Sequence, residues 1–160
     1  MSHAPPKLVL VIRHGEKLDD KADPDLSPAG RLRAQMLARE IPKLYPALSD
    51  LFAAARSKDS NRSLETIEPL GVALGVPIDH SFTDDDHKML AKHILDDSAG
   101  YAGKTLLICW HHEKIPALAS DLGVAGAPSP WPNDVFDEIW EISYSPEGAA
   151  TLAIRKQPPV

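Results

Sequence analysis

The stretch that decides the fold is Lys7–Glu16, KLVLVIRHGE, in which an uninterrupted apolar run ends in charged and polar residues. A β-branched run of this kind is typical of a strand buried on both faces, such as a central strand of a parallel sheet. Thr105–Trp110, TLLICW, is a second run of the same type, and histidine follows both runs. Ligands of parallel α/β sheets bind just beyond the carboxyl ends of the strands. The sequence therefore predicts a site formed by Arg13–Lys17 and His111–Lys114.

Helical patterns alternate with these strands along most of the chain. Ser27 and Pro28 predict the N-cap and first residue of a helix, and Pro42 predicts its end. Apolar residues recurring at helical spacing predict three further helices: around Leu64–Leu74, after Asp86, and over Ile115–Leu122.

The remaining apolar segments predict shorter strands and a final hairpin. Leu51–Arg56 and Pro77–Asp79 are the short strands, and Val135–Tyr144 pairs with Ala150–Arg155 in the hairpin. Alternation of strand and helix implies a mostly parallel sheet with helices on both faces. We therefore predict an α/β fold: a three-layer α/β/α sandwich with a mostly parallel central sheet and a C-terminal β-hairpin. The length predicts a single domain over residues 1–160.

Composition excludes several classes of function. The net charge is −6 without a block of Lys or Arg, which argues against nucleic-acid binding. No apolar run is long enough to cross a bilayer, and no apolar stretch resembling a signal peptide precedes the first strand. Cys109 is the only cysteine, so no internal disulfide can form. We expect a cytoplasmic protein without a membrane partner.

Four short motifs lie on these elements in order. They are RHGE at 13–16, LSPAGRLRA at 26–34, RSLETIEPL at 62–70, and a histidine after the second buried strand. Together they resemble the histidine phosphatase superfamily, also called phosphoglycerate mutase-like, from Lys7 to Leu122. CWHHEKIP at 109–116 and WPNDVFDEIW at 131–140 are similar to a small phosphatase-like branch of it.

The resemblance implies roles for four residues of the first and third motifs. His14 would attack phosphorus and become a phosphohistidine, since a neutral imidazole is not repelled by a phosphate dianion. Arg13 and Arg62 would bind the phosphate oxygens with their planar, permanently charged forks. Gly15 would let the backbone turn tightly against the ligand.

The second active-site histidine has two candidates because His111 and His112 are adjacent. Counting strand, spacer and histidine favours His111, whereas alignment with a Trp-X-His pattern favours His112. We choose His112 as a catalytic and phosphate-binding donor. Histidines that bind a metal from one helix face are usually spaced by about three or four residues, so we expect no metal here.

The departing alcohol needs a proton, which a carboxylic acid can donate. Asp84, Asp85 and Asp86 occupy the region in which the family places its donor, and Glu16 is a further candidate. We choose Asp85.

These residues predict a metal-independent phosphomonoesterase that needs no cofactor. A phosphoglycerate mutase-type phosphoryl transfer and a catalytically inactive phosphate-binding regulatory domain are the alternatives. The expected partner is a small phosphorylated substrate or a phosphoprotein, selected by the loops Leu18–Asp25 and Ala125–Asn133. The oligomeric state is left open.

Overall fold

The computed structural model describes residues 4–96 and 100–160. One six-stranded sheet has the strand order β3-β2-β4-β1-β5-β6. Its strands are β1 (Leu8–Arg13), β2 (Leu48–Ala53), β3 (Ile78–Asp79), β4 (Thr105–Trp110), β5 (Glu138–Tyr144) and β6 (Ala150–Lys156). Pairing is parallel among β1 to β4 and antiparallel where β5 joins β1 and β6 joins β5. The predicted mostly parallel sheet with its C-terminal hairpin is confirmed.

Two pairs of helices cover the two faces of the sheet. They are α1 (Pro28–Leu44) with α2 (Arg62–Leu74), and α3 (His87–Leu95) with α4 (Ile115–Asp121). Each pair packs on its own hydrophobic core, because alternate side chains of the central strands point to opposite faces. The predicted three layers are therefore present. None of the helices in the described part of the chain is long and apolar enough to span a bilayer.

The pairing of β1 with β4 at the centre of the sheet positions the candidate site. All six residues of β4 are buried, as are five of the six in β1. Their register places Arg13 opposite Trp110. The next residues along the two strands, His14 and His111, therefore leave the sheet side by side.

The chain after β1 packs directly against the first turn of α1. The Ser27 hydroxyl accepts a hydrogen bond from the Gly30 amide at 3.1 Å, which confirms Ser27 as the N-cap, and it donates to the Glu16 carbonyl at 3.0 Å. A Cβ atom on Gly30 would lie 2.4 Å from that carbonyl oxygen, and one on Gly15 would lie 3.1 Å from the Gly30 Cα. The absence of a side chain at Gly15 thus lets the segment after β1 pack closely against the first turn of α1.

Several predicted boundaries differ from the structure, and the second strand spans Leu48–Ala53 where Leu51–Arg56 was predicted. The first helix continues past Pro42 to Leu44, since the Tyr45 amide still bonds the Ile41 carbonyl at 2.9 Å. The first hairpin strand begins at Glu138 and not at Val135. The reason is that the Val135 carbonyl accepts hydrogen bonds from side chains, as described below, in place of a neighbouring strand.

The contact between Gly30 and Glu16 generates a stability prediction. Replacing a helical glycine with alanine usually stabilises a helix by about 1 kcal/mol. We expect Gly30→Ala to lower the free energy of unfolding by about 1–3 kcal/mol instead, because the added methyl group collides with backbone. Urea unfolding measures the change, and Gln35→Ala on the exposed face of the same helix is the control. Equal or greater stability of Gly30→Ala would show that the two segments do not pack this closely.

Candidate active site

His14 follows β1 directly and is held in one orientation. Its ring is buried, its backbone amide donates to the Trp110 carbonyl at 3.2 Å, and its Nδ1 lies 2.7 Å from the Gly15 carbonyl oxygen. A carbonyl oxygen can only accept, so Nδ1 carries the hydrogen. The Nε2 atom therefore keeps its lone pair, as a nucleophile requires.

The structure brings His111 to His14. The two ring centroids lie 5.3 Å apart in an edge-on arrangement. His112, chosen from the Trp-X-His pattern, instead donates from Nε2 to the Asn133 Oδ1 at 2.7 Å. The register of β1 with β4 explains the difference, because the residue that follows Trp110 is the one that faces His14.

Both facing histidines are neutral at physiological pH. Burial lowers the pKa of His14 well below 6.5, and the neighbouring charges of Arg13 and Arg62 act in the same direction. Burial and the Arg62 charge lower the pKa of His111 to about 4. The His14 Nε2 atom therefore has a free lone pair at neutral pH without prior loss of a proton.

Arg13 and Arg62 are arranged alike, each held by a loop through Nη1. The Arg13 Nη1 donates to the Asn133 carbonyl at 2.7 Å, and the Arg62 Nη1 donates to the Asp23 carbonyl at 3.0 Å. Both Nε atoms are buried without a hydrogen-bond partner among the described residues. Burial lowers the pKa of Arg13 to about 10 and also lowers that of Arg62, and both remain charged at neutral pH. Two buried cationic donors therefore lack an acceptor.

Thr66 ties the two halves of the site together. Its hydroxyl accepts from the Gly15 amide at 2.8 Å and donates to the Arg62 carbonyl at 2.6 Å, one helical turn earlier. The Arg-x-x-x-Thr spacing of the third motif follows from this double contact. The first turn of α2, which carries Arg62, is thereby fixed against the backbone that carries His14.

Asp84 is the carboxyl group of the acidic triplet that faces the site. Its Oδ1 is buried and has no hydrogen-bond partner within residues 4–96 and 100–160, and burial raises its pKa to about 6. The buried Trp110 indole donates to the Asp84 carbonyl at 3.1 Å and holds this segment in place. Asp84 lines a cavity of about 370 Å³ together with Arg62 and His111.

The other candidate acids are placed differently. The Asp85 side chain, our choice from the sequence, is 84% exposed and pairs with Lys114 at 3.3 Å. Asp86 Oδ2 accepts from the Thr83 amide and hydroxyl and caps the short turn at 84–86. Asp84 and Asp85 both line the cavity that contains His111, but within the described residues Asp84 is the member of the triplet with an unpaired, buried carboxyl oxygen.

The Glu16 carboxylate forms a salt bridge with Arg33. Its two carboxylate oxygens accept from Arg33 Nε and Nη2, each at 2.8 Å. Burial alone would raise the pKa of Glu16, but these hydrogen bonds outweigh burial and lower it below 4.5. A carboxyl group that holds its charge so firmly is a poor proton donor at neutral pH.

Two clefts meet at Arg62. The first is the cavity with Asp84, whose rim carries Ser57 and Thr83. The second is about 600 Å³ in volume and is lined by the 17–21 segment together with Asn133 and Phe136. Over the described ranges, no group of three His, Cys, Asp or Glu residues is arranged to hold a metal ion.

No protein-family model matches this chain, and neither does any curated protein. Solved structures do match it. A protein histidine phosphatase, SixA, in complex with tungstate has a TM-score of 0.68 at 17% identity, covering 93% of this chain and 96% of that one. A mycobacterial glucosyl-3-phosphoglycerate phosphatase with inorganic phosphate has a TM-score of 0.60 at 16% identity, covering 94% and 96%. A phosphoglycerate mutase from Bacillus anthracis has 0.63 at 14%, covering 97% and 95%.

The chain therefore has the fold of the histidine phosphatase superfamily, as the motifs indicate. Full-length coverage in both directions shows that it is similar in size to these enzymes. At identities of 13–18% the likeness concerns the fold, and the activity must be argued from the residues of this chain.

Sequence reasoning missed the residues that support Arg13. Phe136 lies with its ring centroid 3.8 Å from the Arg13 Cζ, and the carbonyls of Asn133 and Val135 accept from its Nη1. Backbone carbonyls carry no signature of residue type, so no motif could have marked them. The aromatic residue in WPNDVF was the available signal, because aromatic rings often stack on arginine.

A titration tests whether this arrangement binds an anion. A phosphate dianion beside His111 favours the charged imidazolium, so we expect inorganic phosphate to raise the pKa of His111 from about 4. Nuclear magnetic resonance of the ring protons measures the shift. His93, which contacts Tyr101 away from the site, is the internal control. A pKa of His111 that does not respond to saturating phosphate would exclude an anion between the histidines and Arg62.

Proposed function

We propose that the chain is a phosphomonoesterase that hydrolyses its substrate through a phosphohistidine on His14. One observation carries the proposal: a neutral, oriented imidazole feels the charges of two arginines whose buried Nε atoms have no acceptor in the described structure. Unpaired buried donors destabilise a fold unless a ligand satisfies them. A phosphoryl group supplies the required oxygens and places phosphorus in front of the His14 Nε2.

The first half of the reaction transfers the phosphoryl group to the enzyme. The lone pair of His14 Nε2 forms the N–P bond, and the ester P–O bond breaks on the opposite side. The departing oxygen takes the proton of Asp84, whose pKa near 6 leaves a usable protonated fraction at neutral pH. The hydrogen remains on His14 Nδ1 and keeps its hydrogen bond to the Gly15 carbonyl, which stabilises the imidazolium charge of the phosphohistidine.

The second half regenerates the enzyme. A water molecule gives its proton to the Asp84 carboxylate as its oxygen attacks phosphorus, and the N–P bond breaks. Phosphate leaves, His14 returns to its neutral form, and Asp84 is protonated again. Arg13, Arg62 and His111 stabilise the charge that spreads over the equatorial oxygens in both halves, which is the main contribution a protein makes to phosphoryl transfer.

The leaving group occupies the cavity that contains Asp84. Attack by His14 and departure of the ester oxygen lie on opposite sides of phosphorus, and the acid must stand on the departing side. A cavity of about 370 Å³ suits a small phosphorylated molecule. In this proposal the reaction uses no metal, since charge stabilisation comes from Arg13 and Arg62.

The nucleophile is tested with a generic aryl phosphate in the presence of a chelator. We expect turnover by the wild type and none by His14→Ala, because the substitution removes the nitrogen that forms the N–P bond. Trapping of acid-labile, base-stable phosphate on the wild type identifies the intermediate. Inorganic phosphate and vanadate should compete with the substrate.

The alternatives give different results in the same assay. A mutase would turn over only with a phosphorylated primer, and a binding domain would retain phosphate without releasing it from an ester. Normal turnover by His14→Ala would show that the mechanism is wrong.

The acid is tested by a matched pair, Asp84→Asn and Asp85→Asn. An aryl ester has a good leaving group and needs little protonation, whereas an alkyl ester depends on the acid. We expect Asp84→Asn to lower kcat/KM for an alkyl phosphate by about 100-fold, within the range for general acid catalysis, with a much smaller effect on the aryl ester. Asp85→Asn should act like the wild type with both esters.

The pH profile provides an independent check of the same residue. Asp84 donates only in its protonated form, so the ratio of alkyl to aryl kcat/KM should fall as the pH rises through about 6. The two esters ionise at different pH values, so the same ratio is measured for Asp84→Asn, which leaves the ionisation of the substrates unchanged. The part of the fall that is due to Asp84 should be absent in that variant. A greater loss of alkyl phosphate kcat/KM in Asp85→Asn than in Asp84→Asn would identify Asp85 as the proton donor.

A further inference from the structure

The segment Trp131–Phe136, named here the Arg13 clamp, surrounds one side of the Arg13 guanidinium. The Arg13 Nη1 donates to the carbonyls of Asn133 at 2.7 Å and Val135 at 3.0 Å. The Phe136 ring covers a face of the guanidinium at 3.8 Å. Arg13 itself is 1% exposed. The guanidinium is therefore fixed in both position and plane by one loop.

The contacts to the clamp leave a particular edge of the arginine for a ligand. All hydrogen bonds from Arg13 to the clamp use Nη1, which lies on the side of the guanidinium away from the Nε hydrogen. The Nε atom is buried without a partner in the described part of the chain. The Nε–Nη2 edge presents two parallel donors, which is the geometry that binds a phosphate through two oxygens. A rotation of the guanidinium would remove this match, so the clamp determines how well Arg13 binds phosphate.

The clamp is in turn attached to the end of β4 by one side-chain pair. The His112 Nε2 donates to the Asn133 Oδ1 at 2.7 Å, and His112 is 7% exposed while Asn133 is exposed. Inside the clamp, the Trp131 indole donates to the Val135 carbonyl at 2.9 Å. The side chain of Asn133 thus binds His112 while its backbone carbonyl binds Arg13.

We propose that His112 and Asn133 are positioning residues, whose hydrogen bond holds the clamp so that Arg13 presents its Nε edge to the phosphoryl group. This inference rests on the proposed phosphate site and gives the second of the two adjacent histidines a separate role. His111 contacts the reacting group, and His112 acts through Asn133 and Arg13. Supporting residues of this kind typically change ligand affinity by about 10-fold to 100-fold when they are removed.

The test measures binding of inorganic phosphate by calorimetry and turnover of an aryl phosphate in parallel. We expect His112→Ala and Asn133→Ala each to weaken phosphate binding by about tenfold, with the double variant no weaker than either single one, since both changes break the same hydrogen bond. His112→Gln should recover most of the affinity, because the glutamine amide places a donor near the position of Nε2. In an Arg13→Ala background neither substitution should weaken binding further.

Each result decides between the two histidine roles. Asn133 lies in an exposed loop, and urea unfolding of Asn133→Ala separates loss of binding from loss of folding. If His112 contacted phosphate directly, His112→Ala would weaken binding further in the Arg13→Ala background, and the proposal would be wrong. Phosphate binding that follows the expected pattern without any turnover would overturn the phosphatase function and retain the clamp. A wild type that does not bind phosphate would overturn both.

Discussion

The parallel pairing of β1 with β4 is the constraint on which the rest of this structure depends. The two strands lie at the centre of the sheet, are buried along nearly their whole length, and end at the same edge. A slip of one residue would point every side chain to the opposite face, so both hydrophobic cores oppose it. The register therefore fixes His14 beside His111 without any direct bond between them. Packing of apolar side chains far from the site is what aligns the two imidazoles.

Burial has opposite consequences for the charged and the neutral groups of this site. Desolvation keeps His14 and His111 neutral, which a nucleophile needs, and it raises the pKa of Asp84 toward the range of a useful acid. The same burial opposes the charges of Arg13 and Arg62, whose Nη1 atoms are satisfied by loop carbonyls while their Nε atoms are not. Under the proposed function, an anion bound to both arginines would supply the missing acceptors, and stability and ligand binding would be coupled through the same donors.

The loops at the edge of the sheet have a structural task besides any choice of substrate. The loop that contains Asp23 anchors Arg62, and the Arg13 clamp anchors Arg13, so each loop holds one arginine of the proposed phosphate site. The clamp includes Val135, where the first hairpin strand was predicted to begin, and the Val135 carbonyl binds side chains in place of a neighbouring strand. Changes in these loops are therefore expected to alter phosphate affinity as well as specificity. A helix-borne residue, Thr66, connects the two halves through hydrogen bonds to Gly15 and Arg62.

The sequence by itself determined the α/β class, the two central strands, the N-cap at Ser27, and the motif residues around His14 and Arg62, because each depends on local patterns of polarity and residue type. Tertiary structure decided which adjacent residue faces the site. Strand register turned His111 rather than His112 toward His14, and the fold buried a carboxyl oxygen of Asp84 while it left the Asp85 side chain exposed. Neighbouring residues of the same type look equal in a sequence, since their difference lies in which direction the backbone points them. The support of Arg13 by backbone carbonyls was equally hidden, because every residue has a carbonyl and only the fold decides what it binds.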